Sequence, residues 1–85
     1  MNLDTFPIIE TKEIALQLEE SQWWNNQTAY DVVKFQFRQD YMCMPWTIFL
    51  DTLEQAVGRS VQTIELSTEK RRAHLLDEME KRRSI

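Results

Sequence analysis

A chain of 85 residues, 42% hydrophobic and with nine aromatics, suits one domain and is too apolar for disorder, yet a core this small yields only about 3–5 kcal/mol of net stability. The net charge of −4 is unevenly divided, since residues 1–58 carry Lys12, Lys34 and Arg38 against nine acids, while 59–85 carry seven Lys or Arg against five. An acidic body disfavours phosphate backbones and favours basic partners, one Gly and two Pro are too few corners for a multi-stranded sheet, and a lone cysteine excludes an intrachain disulfide. The fold class expected is mostly α, a compact bundle of about four helices, in which one short extended segment near 61–66 is an option. A reducing, cytoplasmic setting fits the single thiol. The N-terminus lacks the pattern of a secretion signal, and nothing approaches the run of about 18 apolar residues that a membrane span needs.

In chain order, residues 1–10 read as an extended lead-in to a single domain covering 1–85, because Pro7 disfavours helix at Phe6. Ile8 and Ile9 are expected to tuck under the first helix. Thr11 is a capping residue, and Ile14, Ala15 and Leu18 make the inward stripe of a helix over about 12–24. Glu19 and Glu20 fall near its negative end, where they either stop the helix early or face something basic. Trp23-Trp24-Asn25-Asn26 is a corner, with one tryptophan packed inside and the other across a helix junction, and Asn26 or Thr28 caps the next element. In 28–42, Val33, Phe35 and Phe37 alternate like a strand, but Tyr30, Val33, Phe37 and Tyr41 also share a helical face. Length favours the helix and leaves Phe35 on a flank as a partly exposed aromatic.

The best-signalled element is 45–57. Pro45 suits a first turn, Thr47 is a competing cap, Trp46, Phe49, Leu50, Leu53, Ala56 and Val57 recur at helical spacing, and Gly58 ends the run as a left-handed cap. Beyond it, Ser60 to Thr68 either begins a long last helix or links to one capped at Ser67 or Thr68. That helix runs to about Arg83 with Leu75, Leu76 and Met79 inside. The triplets Lys70-Arg71-Arg72 and Lys81-Arg82-Arg83 read as solvated faces. The expected core is Ile14, Leu18, Val33, Phe37, Trp46, Phe49, Leu50, Leu53, Val57, Ile64, Leu75 and Met79.

Reactive residues are sparse. Cys43 lies among Met42, Met44 and Trp46 and reads as a buried inert thiol rather than the partner of His74, the one histidine. Asp51 and Glu54 share a helix face without a Glu-x-x-His companion, and no phosphate loop or metalloprotease motif is present, so neither enzyme activity nor a metal or cofactor is expected. In the window Leu53 to Ile64, LEQAVGRSVQTI, a turn glycine (Gly58), a capping serine (Ser60) and a Thr-Ile pair (Thr63, Ile64) stand in order. This window resembles the helix-turn-helix of bacterial transcriptional repressors, and the resemblance implies DNA contacts from Arg59, Ser60 and Gln62, with Arg71 and Arg72 on the phosphates. Glu54 and Ser67 stand where that family has a small and an apolar residue, and Glu65 and Glu69 would face phosphate.

By elimination the expected function is noncovalent binding: a small acidic protein-binding adaptor, or a stoichiometric inhibitor or regulator of another protein, of the kind found among phage and mobile-element proteins. Its expected contact surface joins Trp23 or Trp24 to Glu19, Glu20 and Phe35, aromatic anchors beside acids that seek a basic partner surface. The alternatives are DNA regulation through 53–72 and a helical homodimer or structural subunit of a larger assembly.

Overall fold

Threonine hydroxyls start three helices in the computed structural model, which describes Leu3 and residues 6–83. Thr11 accepts the Ile14 N–H at 3.2 Å to open α1 (Lys12–Glu20). Thr28 accepts that of Asp31 at 3.2 Å to open α2 (Ala29–Arg38), and Thr68 that of Arg71 at 3.2 Å to open α4 (Glu69–Arg83). Each hydroxyl satisfies one N–H that the first helical turn leaves unpaired. Between them α3 (Trp46–Val57) begins behind Pro45, whose φ of −59° already suits a helix start, and ends at Gly58 with φ 85°. A Cβ at Gly58 would meet the Arg82 guanidinium, a flexible side-chain end that can shift, so it is the left-handed dihedral that calls for glycine here.

The result is a small helical bundle, and among the described residues there is no strand and no helix long and apolar enough to cross a membrane. Its radius of gyration, 12.5 Å, is close to the roughly 12 Å of a packed chain this long. Tyr30 of α2 is hydrogen-bonded to Glu80 of α4, and the Arg83 guanidinium lies 4.3 Å from the Tyr30 ring centre, which ties these two helices at the surface.

Several expected boundaries shift. α1 stops at Glu20 rather than running to about 24, because the Ser21 hydroxyl turns back to the Leu18 carbonyl and Gln22 takes a left-handed φ of 50°. A short 3-10 turn, Trp23–Asn26, then makes the corner. The 28–42 stretch is helical for ten residues, and the segment 61–66 is neither strand nor α-helix: Gln62 is extended and Thr63–Leu66 form a second 3-10 turn. Residues 6–10 of the expected extended lead-in have no helix, whereas residues 1, 2, 4 and 5 lie outside the described residues. Ile9 is buried as expected, but Ile8 stands out from the surface at 53% exposure.

The core keeps Val33, Phe49, Leu53, Val57, Leu75 and Met79 from the expected set, with Leu18, Phe37 and Leu50 half-buried. Ile14 (46% exposed), Trp46 (45%) and Ile64 (59%) are corrected to the surface. α1 meets the core through the small Ala15, which turns Ile14 away, and Ile64 sits on the outer side of its 3-10 turn. Their places inside are taken by Leu3, Ile9, Trp23, Val32, Phe35, Cys43, Met44 and Val61. Phe35 is the largest correction, since its ring lies 4.7 Å from Trp23 and 5.5 Å from Phe6 in an aromatic cluster. Burying one such ring stabilises the fold by about 1.5–3 kcal/mol.

Candidate functional site

The connection from α2 to α3, residues 39–45, contains no glycine and forms no regular structure, so its backbone groups need partners from elsewhere. The Gln36 side chain supplies two of them. This is the one buried polar residue among those described: its Oε1 accepts the Cys43 N–H at 3.0 Å and lies 3.1 Å from the Cys43 thiol, while its Nε2 donates to the Tyr41 carbonyl at 2.9 Å. From the other side the Trp23 indole donates to the Cys43 carbonyl at 2.9 Å. Burial pushes the Cys43 thiol up to about 12, with Glu19 adding to the rise against a backbone hydrogen bond that lowers it, so the sulfur is neutral. Pinned in this way, Cys43 and Met44 point inward and Tyr41 and Met42 point to solvent.

Outside the pinned loop lies an open groove of about 790 Å³, walled by Phe37, Tyr41, Met42, Trp46 and Phe49, with Ile8 at one side and Leu66, Glu69 and Arg72 bringing in the start of α4. The Trp46 and Phe49 rings sit 5.8 Å apart, which props Trp46 upright on the first turn of α3. Ile8 continues the apolar surface into a smaller hollow of about 310 Å³ shared with Phe6, Glu10 and Ile14. The groove's two arginines hydrogen-bond main-chain carbonyls. Arg38 donates to the carbonyls of Leu3 (2.7 Å) and Phe6 (3.4 Å), and Arg72 to that of Leu66 (2.8 Å). Its carboxylates, Asp40 and Glu69, and Glu10 at the hollow, have no ion-pair partner among the described residues. Gln39 holds the Ile9 N–H at 2.7 Å through Oε1, but its buried Nε2 has no partner.

Two residues of the expected binding surface are corrected to the interior. Trp23 is 8% exposed with its indole N–H committed to Cys43, and Phe35 is 1% exposed, so neither ring can anchor a partner from outside. Trp24 is half-buried, edge-on to Trp23 at 6.0 Å, Glu19 is half-buried and Glu20 is exposed. These three follow one another at the end of α1 and in the turn after it, and none of them lines the groove.

The corner that resembles a helix-turn-helix is built differently. A reading helix over 60–72 is interrupted, because the extended Gln62, the four-residue turn Thr63–Leu66 and the cap at Thr68 come before α4. Glu54 is not a misplaced small residue but a tether, its carboxylate accepting the Val61 N–H at 2.8 Å. Arg59, expected to contact DNA, is paired with Glu65 and Glu78, both at 2.7 Å, and also donates to the Ser60 carbonyl. The Gln62 N–H is taken by Glu65 and the Arg72 guanidinium by the Leu66 carbonyl, while the Ser60 and Arg71 side chains are exposed. Cys43 and His74 are separated by burial, the thiol enclosed and the imidazole outside the core. Asp51 accepts from Gln55 at 3.0 Å, and among the described residues no cluster of three His, Cys, Asp or Glu is placed to hold a metal.

Tyr41, Met42, Trp46 and Ile8 were not among the expected contact residues. The signal for them is the run Tyr41-Met-Cys-Met-Pro-Trp46, apolar but without helical or strand period, in which an irregular backbone sends some side chains outward. Comparison with known proteins finds no matching family model, no matching curated protein and no matching solved structure.

Proposed function

We propose that the chain is a small protein-binding module, an adaptor or regulator, that seats its partner in the groove between the α2–α3 connection and the start of α4. The observation that carries this reading is the grouping of Ile8, Tyr41, Met42 and Trp46, each at least 39% exposed, around one open concavity. An 85-residue chain has little apolar surface to spare, and four large side chains left outside a core this small are costly unless a partner covers them. Tyrosine, tryptophan and methionine are also the side chains that interfaces use as anchors, since each buries much area per ordered torsion or adapts its shape to the partner. The neutral, enclosed Cys43 thiol fits a noncovalent role.

The test is affinity capture from the native cell with the full chain and with Trp46→Ala, Met42→Ser and His74→Ala forms. The expected result is that partners held by the parent and by His74→Ala are lost by the other two, and direct titration should show at least a tenfold weakening for Trp46→Ala, on the order expected for an aromatic anchor. Partners that survive both groove changes but fail with Trp24→Ala or Glu19→Ala/Glu20→Ala would move the surface to the end of α1 and defeat the groove reading.

A further inference from the structure

We infer that residues 10–22, α1 with its flanks, form a strap that opens and recloses while α2, α3 and α4 stay folded. Its two ends are fixed. Ahead of it, Ile9 is 2% exposed and Gln39 holds its N–H at 2.7 Å. Behind it, Trp23 is buried and its indole donates to the Cys43 carbonyl at 2.9 Å. Between these anchors the hold is slight. Ala15, the smallest side chain of α1, is the one buried residue of that helix, Leu18 reaches the core only in part, and Ile14 and Leu16 stand outside. α2, α3 and α4 pack on one another, whereas α1 has no comparable contact with any of them.

The polar groups of the strap bond locally. Thr11 caps Ile14, the Ser21 hydroxyl returns to the Leu18 carbonyl and Asn25 donates to Gln22, and among the described residues no ion pair joins α1 to another helix. An element docked through one methyl group and part of a leucine separates far more readily than the body unfolds. With nine residues, α1 is shorter than the dozen or so that an isolated helix needs, so it loses its helical hydrogen bonds once detached. Gln22 supplies the hinge. Among the described residues it is the one non-glycine with a left-handed φ, 50°, a conformation that a Cβ resists, and release of the strap lets it return to ordinary angles. The hollow of about 310 Å³ beside the groove has Ile14 of the strap as one wall and Phe6, Ile8 and Ile9 of the lead-in as others. Opening removes the Ile14 wall, so the strap gates the hollow.

The test is backbone hydrogen exchange of the full chain, read residue by residue by NMR and repeated at several urea concentrations below the unfolding transition. Relative to unstructured peptide rates, the amides of Ala15 to Glu20 are expected to be roughly tenfold or more less protected than those in the middle of α3. Their exchange should also be nearly independent of urea, because opening the strap exposes little surface, whereas exchange in α3 should steepen with urea as global unfolding takes over. Amides of α1 that match α3 in both protection and urea dependence would show that α1 opens only with the whole chain, and would overturn the inference. It fails equally if α4 shares the protection and urea dependence of α1, since the opening unit is then larger than the strap. An α3 no better protected than α1 would mean that no folded body remains when the strap opens, and would overturn it too.

Discussion

The two connections on either side of α3 solve one problem by opposite means. Residues 39–45 are held by neutral, buried hydrogen bonds from Gln36 and Trp23, and they leave large apolar side chains outside. Residues 58–68 are held by charge near the surface: Arg59 bridges Glu65 and Glu78, Glu65 takes the Gln62 N–H, and Glu54 takes that of Val61. Buried neutral bonds are costly to break because the abandoned partner stays desolvated, whereas water and salt replace exposed ionic bonds readily. The first connection is thus the rigid one, suited to presenting a docking surface, and the second is the one that solution conditions reach.

The sharpest way to break this contrast is Gln36→Leu. Removing the amide strands the Cys43 N–H and the Tyr41 carbonyl, and the expected loss is about 2–4 kcal/mol. A domain with about 3–5 kcal/mol in hand would then keep only on the order of 1 kcal/mol, and its midpoint should fall sharply in urea titration followed by tryptophan fluorescence. Gln55→Leu is the control, because its amide bonds to Asp51 on the exposed side of α3 and should cost no more than about 0.5 kcal/mol. Equal losses from the two variants would end the distinction between pinned and solvent-held connections. Trp23→Phe keeps most of the ring contact with Phe35 but loses the donor to the Cys43 carbonyl, and about 1–2 kcal/mol is expected in the same titration.

On the other side of α3, Gly58→Ala should cost about 1–2 kcal/mol, because alanine resists a φ of 85°. The new Cβ also meets the Arg82 guanidinium, which is flexible and able to move. A Gly58→Ala/Arg82→Ala chain therefore separates the two causes. If space dominated, the double variant would show a smaller loss than the two single losses added together; if the dihedral dominates, as expected, the losses simply add.

Legibility in the sequence divides along the same line. Caps and stops are local chemistry, so Thr11, Thr28, Thr68, Pro45 and Gly58 marked the helices well, and α3 matches its expected range to one residue. Faces were harder. The buried side of α2 is centred on Val32, Phe35 and Gln36, and a polar residue at the middle of the inward face hides that face from any hydrophobic pattern. Because Gln36 was invisible as a core residue, Phe35 was expected outside and the loop it pins had no assigned shape. The groove depends on that loop, so Tyr41, Met42 and Trp46 could not be placed from spacing alone. At the second corner the acids at 54 and 65, which stood out as departures from a helix-turn-helix, are the residues that tether its backbone.

The smallest effect is the one that best separates the two connections, because it is reached by titration. The Arg59 guanidinium, with the Gln62 N–H behind it, holds the Glu65 carboxyl down from its usual 4.5 to about 2. A carboxyl depressed in the folded state is protonated first in the unfolded chain, so its stabilisation is complete above the usual value and is lost as pH falls from 4.5 towards 2. Glu65→Gln has no such increment to lose. The stability gap between parent and Glu65→Gln, read from urea midpoints, should be open near neutral pH, narrow across that window and shrink in added salt. Gln36 and Cys43 carry no charge anywhere in it, since the thiol titrates only near 12, and the penalty of the milder variant Trp23→Phe should therefore stay level over the same range. A Glu65→Gln gap that is as flat with pH as that of Trp23→Phe would mean that the second corner does not rest on its ions, and that both connections are held by the same kind of force.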